Sequence, residues 1–135
     1  MPLLKRMPKK DSGMLFVYGS LRRGFHNHSY LQGTRFFGEG RTRPEFDLVD
    51  LGDFPAMVRP GRFHVQGEIY QVNRRTLDEV DLVEGNGIFY ERIAEMIFTR
   101  TGEVECWLYV LIEPDTGSKP IAPLPDGVTK IWRRR

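Results

Sequence analysis

Hydrophobic and polar positions alternate through most of the chain, and the alternation predicts strands. Met14-Leu-Phe-Val-Tyr18 is a short apolar run between Gly13 and Gly19, the pattern of a strand buried on both faces. Residues 34–41 and 45–51 are two further candidates, joined at Pro44. Over residues 64–72 the period of two puts Val65 and Ile69 on one face and Glu68, Tyr70 and Val72 on the other. The strongest pair is 88–99 with 103–112, with Arg100-Thr-Gly102 as a hairpin turn. In its second strand Val104, Cys106, Leu108, Val110 and Ile112 share a face, so Cys106 reads as a core thiol rather than a nucleophile.

The helical period holds convincingly only over 77–84, with a shorter candidate at 28–32. Thr76-Leu-Asp-Glu79 reads as a capping box, and Gly85 as a left-handed stop. These elements predict an α+β domain: a small curled sheet or barrel with one or two helices against it. Both ends read as appendages, a basic arm over 1–13 and a Pro-rich basic tail over 113–135, with the domain at 14–112 between them.

Charge changes the picture more than length does. The 135 residues carry a formal charge of +2, which invites a nucleic-acid partner. The basic groups concentrate at the ends, however, and residues 11–125 hold 12 basic against 17 acidic side chains. An acidic body is a poor surface for phosphates, and Trp132 is the only aromatic in the basic ends for stacking on bases, so a nucleic-acid partner is not expected. No run approaches the ~20 apolar residues of a membrane span, and the N-terminus lacks a signal-peptide core. With one cysteine and three histidines in no zinc spacing, neither a disulfide nor a metal is expected. The expected compartment is the cytoplasm.

Glu84 carries the most chemical information. Leu77, Val80 and Glu84 stand at i, i+3 and i+7 and share a helical face. Two apolar members fix that face inward, so the carboxylate points to the interior, in a last turn where the helix dipole is negative. Both effects raise its pKa. Arg92 is a candidate partner for a buried ion pair; the other reading is a general acid/base, and the sequence leaves both open. Asp81, one turn earlier, could share the site, but no sugar-binding aromatic array accompanies the two carboxylates as a glycosidase would need. Asp78 and Glu79 read as first-turn acids that the dipole favours.

A second candidate is the loop Tyr18-Gly-Ser-Leu-Arg-Arg-Gly24, directly after the first strand. Gly19 lets the chain turn and lets a ligand approach the backbone, and the amides of Gly19, Ser20 and Leu21 can form a nest for an anion. It matches no nucleotide-loop spacing. Ser20 as a nucleophile would need His26 or His28 as base; a hydroxyl bonding locally in the turn is the plainer reading.

Taken together, Tyr18-Gly-Ser-Leu-Arg22-x-Gly24, Asn27-His28, Gly67-Glu-Ile-Tyr70, Leu77-Asp-x-Val-Asp-x-Val-Glu84-Gly85 and Tyr90-x-Arg92 resemble the gamma-glutamylcyclotransferase-like family, in its gamma-glutamylamine cyclotransferase (AIG2-like) branch. The resemblance covers about residues 14–112, with Ser20 where threonine is common. It implies a mixed β-barrel and a cofactor-independent reaction. In that reaction the α-amine of a small gamma-glutamyl substrate attacks its own γ-carbonyl, giving 5-oxoproline and a free amine. It further implies Glu84 as acid/base and the loop Tyr18, Gly19, Ser20 and Leu21 as the substrate grip. Tyr109, on the strand face opposite Cys106, is a candidate additional hydroxyl, with plain packing as its alternative. Tyr90 is expected as a wall of the pocket or a core aromatic. A non-catalytic binding or interaction module on the same fold is the other functional class left open.

Overall fold

A computed structural model describes residues 13–112 and 118–133. Eight strands and one α-helix follow in the order β1 (Gly13–Val17), β2 (Arg35–Thr42), β3 (Phe46–Asp50), β4 (Pro55–Val72), α1 (Arg74–Glu84), β5 (Tyr90–Thr99), β6 (Gly102–Leu111), β7 (Lys119–Pro120) and β8 (Thr129–Lys130). The short helix expected near residue 28 is a single 3-10 turn, His28–Leu31.

The pairings run β1-β6-β5-β2-β4, and β4 returns to β1, so these strands close into a barrel. It is mixed: β1 and β6 are parallel and the other pairs antiparallel. Closure leaves no free edge along this ring. The β5–β6 hairpin is in continuous register from Tyr90↔Leu111 to Thr99↔Gly102. Strand β4 is far longer than the expected 64–72. Its first half, from Pro55, leaves the barrel to pair with β3, which pairs in turn with β7.

The period-two reading of 64–72 holds, and that of 103–112 holds up to Leu111, where β6 ends; Ile112, expected on the same apolar face, lies past the strand and is exposed. Val65, Ile69, Val104, Cys106, Leu108 and Val110 lie in one apolar cluster, and Tyr70, Val72 and Tyr109 in a second. Cys106 is fully buried, and burial pushes its thiol up to about 12, as a core cysteine requires.

Two expectations need correction. Helix α1 begins at Arg74, not Leu77: Asn73 is the N-cap, its side chain accepting from the Thr76 amide at 2.9 Å, so there is no Thr76 capping box. Asn caps as well as Thr, and the earlier start moves Asp78 and Glu79 out of the first turn. There they make exposed ion pairs with Arg74 and Arg75 at 3.8 and 3.5 Å.

The second correction concerns the tail. Residues 119–120 pair with β3 and 129–130 with β4, and Trp132 is buried. Lys130, one of the basic residues of the expected tail, is 3% exposed, 2.7 Å from Asp47 and stacked over Phe63. The stretch 118–132 is therefore part of the domain. All but Gly13 of the expected N-terminal arm lies outside the described residues. No described helix is long and apolar enough to cross a membrane.

Candidate active site

Helix α1 ends as the sequence anticipates, and the manner of its ending places Glu84. Gly85 adopts φ 63°, ψ 49°, a conformation that costs a glycine little. The Asn86 amide donates to Asp81 O at 2.9 Å and the Gly85 amide to Leu82 O at 3.2 Å, the double bond of a Schellman stop. With Leu77 and Val80 locked in the core, this geometry holds Glu84 against the barrel mouth. There it lines a cavity of about 520 Å³.

The same cavity is lined by Tyr18, Gly19, Ser20, Leu21, Tyr90 and Tyr109, so the structure brings every sequence-predicted site residue to one place. Burial raises the Glu84 carboxyl to about 7. Among the described residues no hydrogen bond or ion pair meets it. Arg92 is not its partner. The β5–β6 register sets Arg92 opposite Tyr109, and its Nε lies 2.9 Å from Asp81 Oδ1, in charge contact but off the hydrogen-bond direction. Its guanidinium also stacks over Trp107 at 4.4 Å. The cation is thus taken up one helical turn before Glu84.

Each tyrosine of the cavity has its hydroxyl committed. Tyr18 donates to Tyr109 O at 2.7 Å and accepts from the Met57 amide at 3.1 Å. Tyr90 donates to Pro55 O at 3.3 Å, and Tyr109 donates to Asp81 Oδ1. Burial raises all three phenols, and the Glu84 charge adds to the rise in each. The Tyr109 proton faces Asp81, which leaves its oxygen and ring as what it presents to the cavity.

The loop after β1 is a series of tight turns. Arg22 N bonds to Gly19 O and Asn27 N to Ser20 O, both at 3.0 Å, and the turn bonds do not engage the amides of Gly19, Ser20 or Leu21. Gly19 is not in a left-handed conformation; a Cβ there would sit 3.0 Å from the Pro55 ring. Close approach, rather than a special dihedral, is what calls for glycine. The Ser20 hydroxyl accepts from Asn27 Nδ2 at 2.9 Å, while His28 Nδ1 is bonded to Leu21 O. Ser20 is therefore bonded locally. Arg22 points away from the cavity, is 7% exposed, donates through Nη2 to Trp132 O and lies over Phe25. Phe25 in turn packs on Trp132 with ring centres 5.0 Å apart.

Sequence reasoning missed part of the wall. Asn27, Phe54, Pro55, Val83, Ile88 and Phe89 also line the cavity. The strand expected from 88 starts only at Tyr90, and Ile88 and Phe89 stand in the turn that follows α1. Phe54 and Pro55 lie where the β3–β4 turn meets β4, and no periodicity assigns them a face.

Residues 15–131 match the family model described as Gamma-glutamyl cyclotransferase, AIG2-like. A Vibrio cholerae protein with a provisional gamma-glutamylcyclotransferase name is 40% identical over 100 residues, covering 74% of this chain and 83% of its own. The Escherichia coli gamma-glutamylcyclotransferase family protein YtfP is 35% identical over 79% of this chain and 89% of its own. Among solved structures, a mouse AIG2-like protein superposes with a TM-score of 0.73 at 27% identity, over 92% of this chain and 98% of that one. The match runs well beyond residue 112, in keeping with a tail that is part of the domain. This chain belongs to the gamma-glutamyl cyclotransferase, AIG2-like family.

Proposed function

We propose that the protein is a gamma-glutamyl cyclotransferase that converts a gamma-glutamyl amine or dipeptide to 5-oxoproline and the free amine, with Glu84 as its general acid/base. One observation carries the reading: a carboxylate without a partner among the described residues, raised to about 7 by burial, facing the same cavity as the loop 18–21. A group with that pKa is divided between its two forms at neutral pH, which suits it to take a proton and return it.

The steps balance without a cofactor. Glu84 takes a proton from the substrate α-ammonium, and the freed amine attacks the γ-carbonyl carbon, forming the ring C–N bond. The tetrahedral oxyanion collapses and the bond to the leaving nitrogen breaks as protonated Glu84 delivers its proton there. The ring nitrogen gives up its second proton to the regenerated Glu84 carboxylate, which passes it to the released amine, leaving 5-oxoproline and an ammonium. Attack within one molecule lets positioning supply much of the acceleration. The amides of Gly19, Ser20 and Leu21 are the donors for the α-carboxylate or the oxyanion. Tyr18 and Tyr90 hold the walls, the Tyr18 hydroxyl tying the end of β1 to β4 and β6 and the Tyr90 hydroxyl tying β5 to the start of β4.

The test is to incubate the protein with gamma-glutamyl amines and dipeptides and measure 5-oxoproline. Formation that disappears in Glu84→Gln is expected. Formation that persists unchanged in that variant overturns the mechanism, and tight binding of every substrate with no product overturns the enzyme reading in favour of a binding module.

A further inference from the structure

The mouth of the cavity has a property that the cyclisation chemistry does not require. Four lining residues are large, apolar and solvent-facing: Ile88 is 73% exposed, Phe89 65%, Phe54 44% and Val83 36%. They come from two separate segments and converge on one opening. Exposed apolar groups scattered singly need no explanation, but a cluster rimming a cavity marks a binding surface.

The rim is held in place by hydrogen bonds. The amides of Ile88 and Phe89 both donate to Gly85 O at 2.9 and 3.0 Å, Gly87 N donates to Tyr90 O at 2.7 Å, and Ile112 N donates to Phe89 O at 3.0 Å. The Phe89 ring lies over Gly85, where a Cβ would meet Cδ2 at 2.7 Å. The backbone that carries Ile88 and Phe89 is therefore held in one turn, with the Phe89 ring seated over Gly85.

Their placement relative to Glu84 says which part of a substrate they meet. The leaving nitrogen must come within hydrogen-bond reach of Glu84 to receive its proton. Val83 precedes Glu84, and Ile88 and Phe89 sit on the turn that caps its helix. Whatever the leaving nitrogen carries runs out over these residues, away from the loop 19–21 that grips the glutamyl end. Among the described residues Glu84 is the only charged side chain that lines the cavity. A carboxylate on the leaving amine would meet no positive side chain among them, and desolvating it would cost affinity.

Resting on the cyclotransferase reading above, we infer that the substrate is the gamma-glutamyl derivative of an apolar amine, aliphatic or aromatic and without a carboxylate. The rim residues Phe54, Val83, Ile88 and Phe89 set that preference.

The experiment compares kcat/KM for gamma-glutamyl methylamide, gamma-glutamyl phenethylamide and gamma-glutamyl phenylalanine, the last two differing by one carboxylate. The phenethylamide is expected to exceed each of the others by at least about tenfold, since hydrophobic pocket contacts discriminate on that scale. In the double variant Phe54→Ser/Ile88→Ser the phenethylamide-to-methylamide ratio is expected to fall at least about fivefold. The ratio is read within each protein, so a general loss of activity cancels. Turnover that is equal across the three, or fastest with the phenylalanine dipeptide, overturns this inference and leaves the cyclotransferase reading standing. A ratio unchanged in the double variant removes the rim as its cause. No product from any of the three overturns the cyclotransferase reading, and the present inference with it.

Discussion

The two last turns of α1 each carry a carboxylate facing the barrel, and the two are treated in opposite ways. Around Asp81 the protein supplies everything a buried anion needs: Arg92 at 2.9 Å and the Tyr109 hydroxyl. Around Glu84, three residues on, it supplies tyrosine rings whose hydroxyls are already engaged elsewhere. A satisfied carboxylate holds structure together; an unsatisfied one costs stability and keeps a proton exchangeable near neutral pH. Spacing along the helix cannot tell them apart. The register of β5 against β6, which aims Arg92 at the earlier turn, does.

The strongest way to break this contrast is Glu84→Gln. It should lower 5-oxoproline formation by about 10²–10⁴-fold, the usual contribution of a general acid/base, without destabilising the fold at pH 7.5. A stability loss comparable with the activity loss would place Glu84 in the same structural class as Asp81.

The pH dependence of stability sharpens the same point. Glu84 rises from 4.5 to about 7 on folding, so between those values the folded state holds a proton that the unfolded chain releases. Its contribution is present in full below about 4.5 and is lost as pH climbs through 7. Wild type should therefore lose stability relative to Glu84→Gln over that window, by up to about 3 kcal/mol. Urea unfolding of both proteins at pH 4.5, 6 and 7.5 reads the difference; no divergence would mean that the carboxyl is not buried in solution. The ascending limb of kcat/KM against pH should centre near 7 and vanish with the carboxyl.

Asp81→Asn tests the other side. Stability should fall by about 2 kcal/mol because a partly buried Arg92 loses its counter-charge, measured as a lower urea midpoint. Activity should survive better than in Glu84→Gln. Tyr109→Phe has the smallest expected effect, about 1 kcal/mol for one hydrogen bond, visible as a drop of a few degrees in Tm.

Local periodicity made the barrel strands, the Cys106 face and the inward aim of Glu84 legible, because each depends on residues close in sequence. The true helix start was hidden because Asn73 and Thr76 are both good caps, and sequence spacing does not say which one the chain uses. The Asp81–Arg92 contact depends on strand register, a non-local property. Strand β4 runs through Arg59-Pro-Gly61, residues that ordinarily end strands, so its first half was invisible. The tail read as an appendage because its prolines and glycines suggest turns; what holds it is pairing with β3 and β4 and the burial of Trp132, none of it local.

That tail bears on when the site exists at all. The bond from Arg22 to Trp132 O joins positions 110 apart, and the entropy of closing a loop grows with its length. The barrel ladder can be complete while residues 128–132 are still undocked, and in that state the turn carrying Gly19, Ser20 and Leu21 has lost its outer clamp. Undocking of residues 128–132 is therefore expected to loosen the proposed substrate grip before it opens the strand framework.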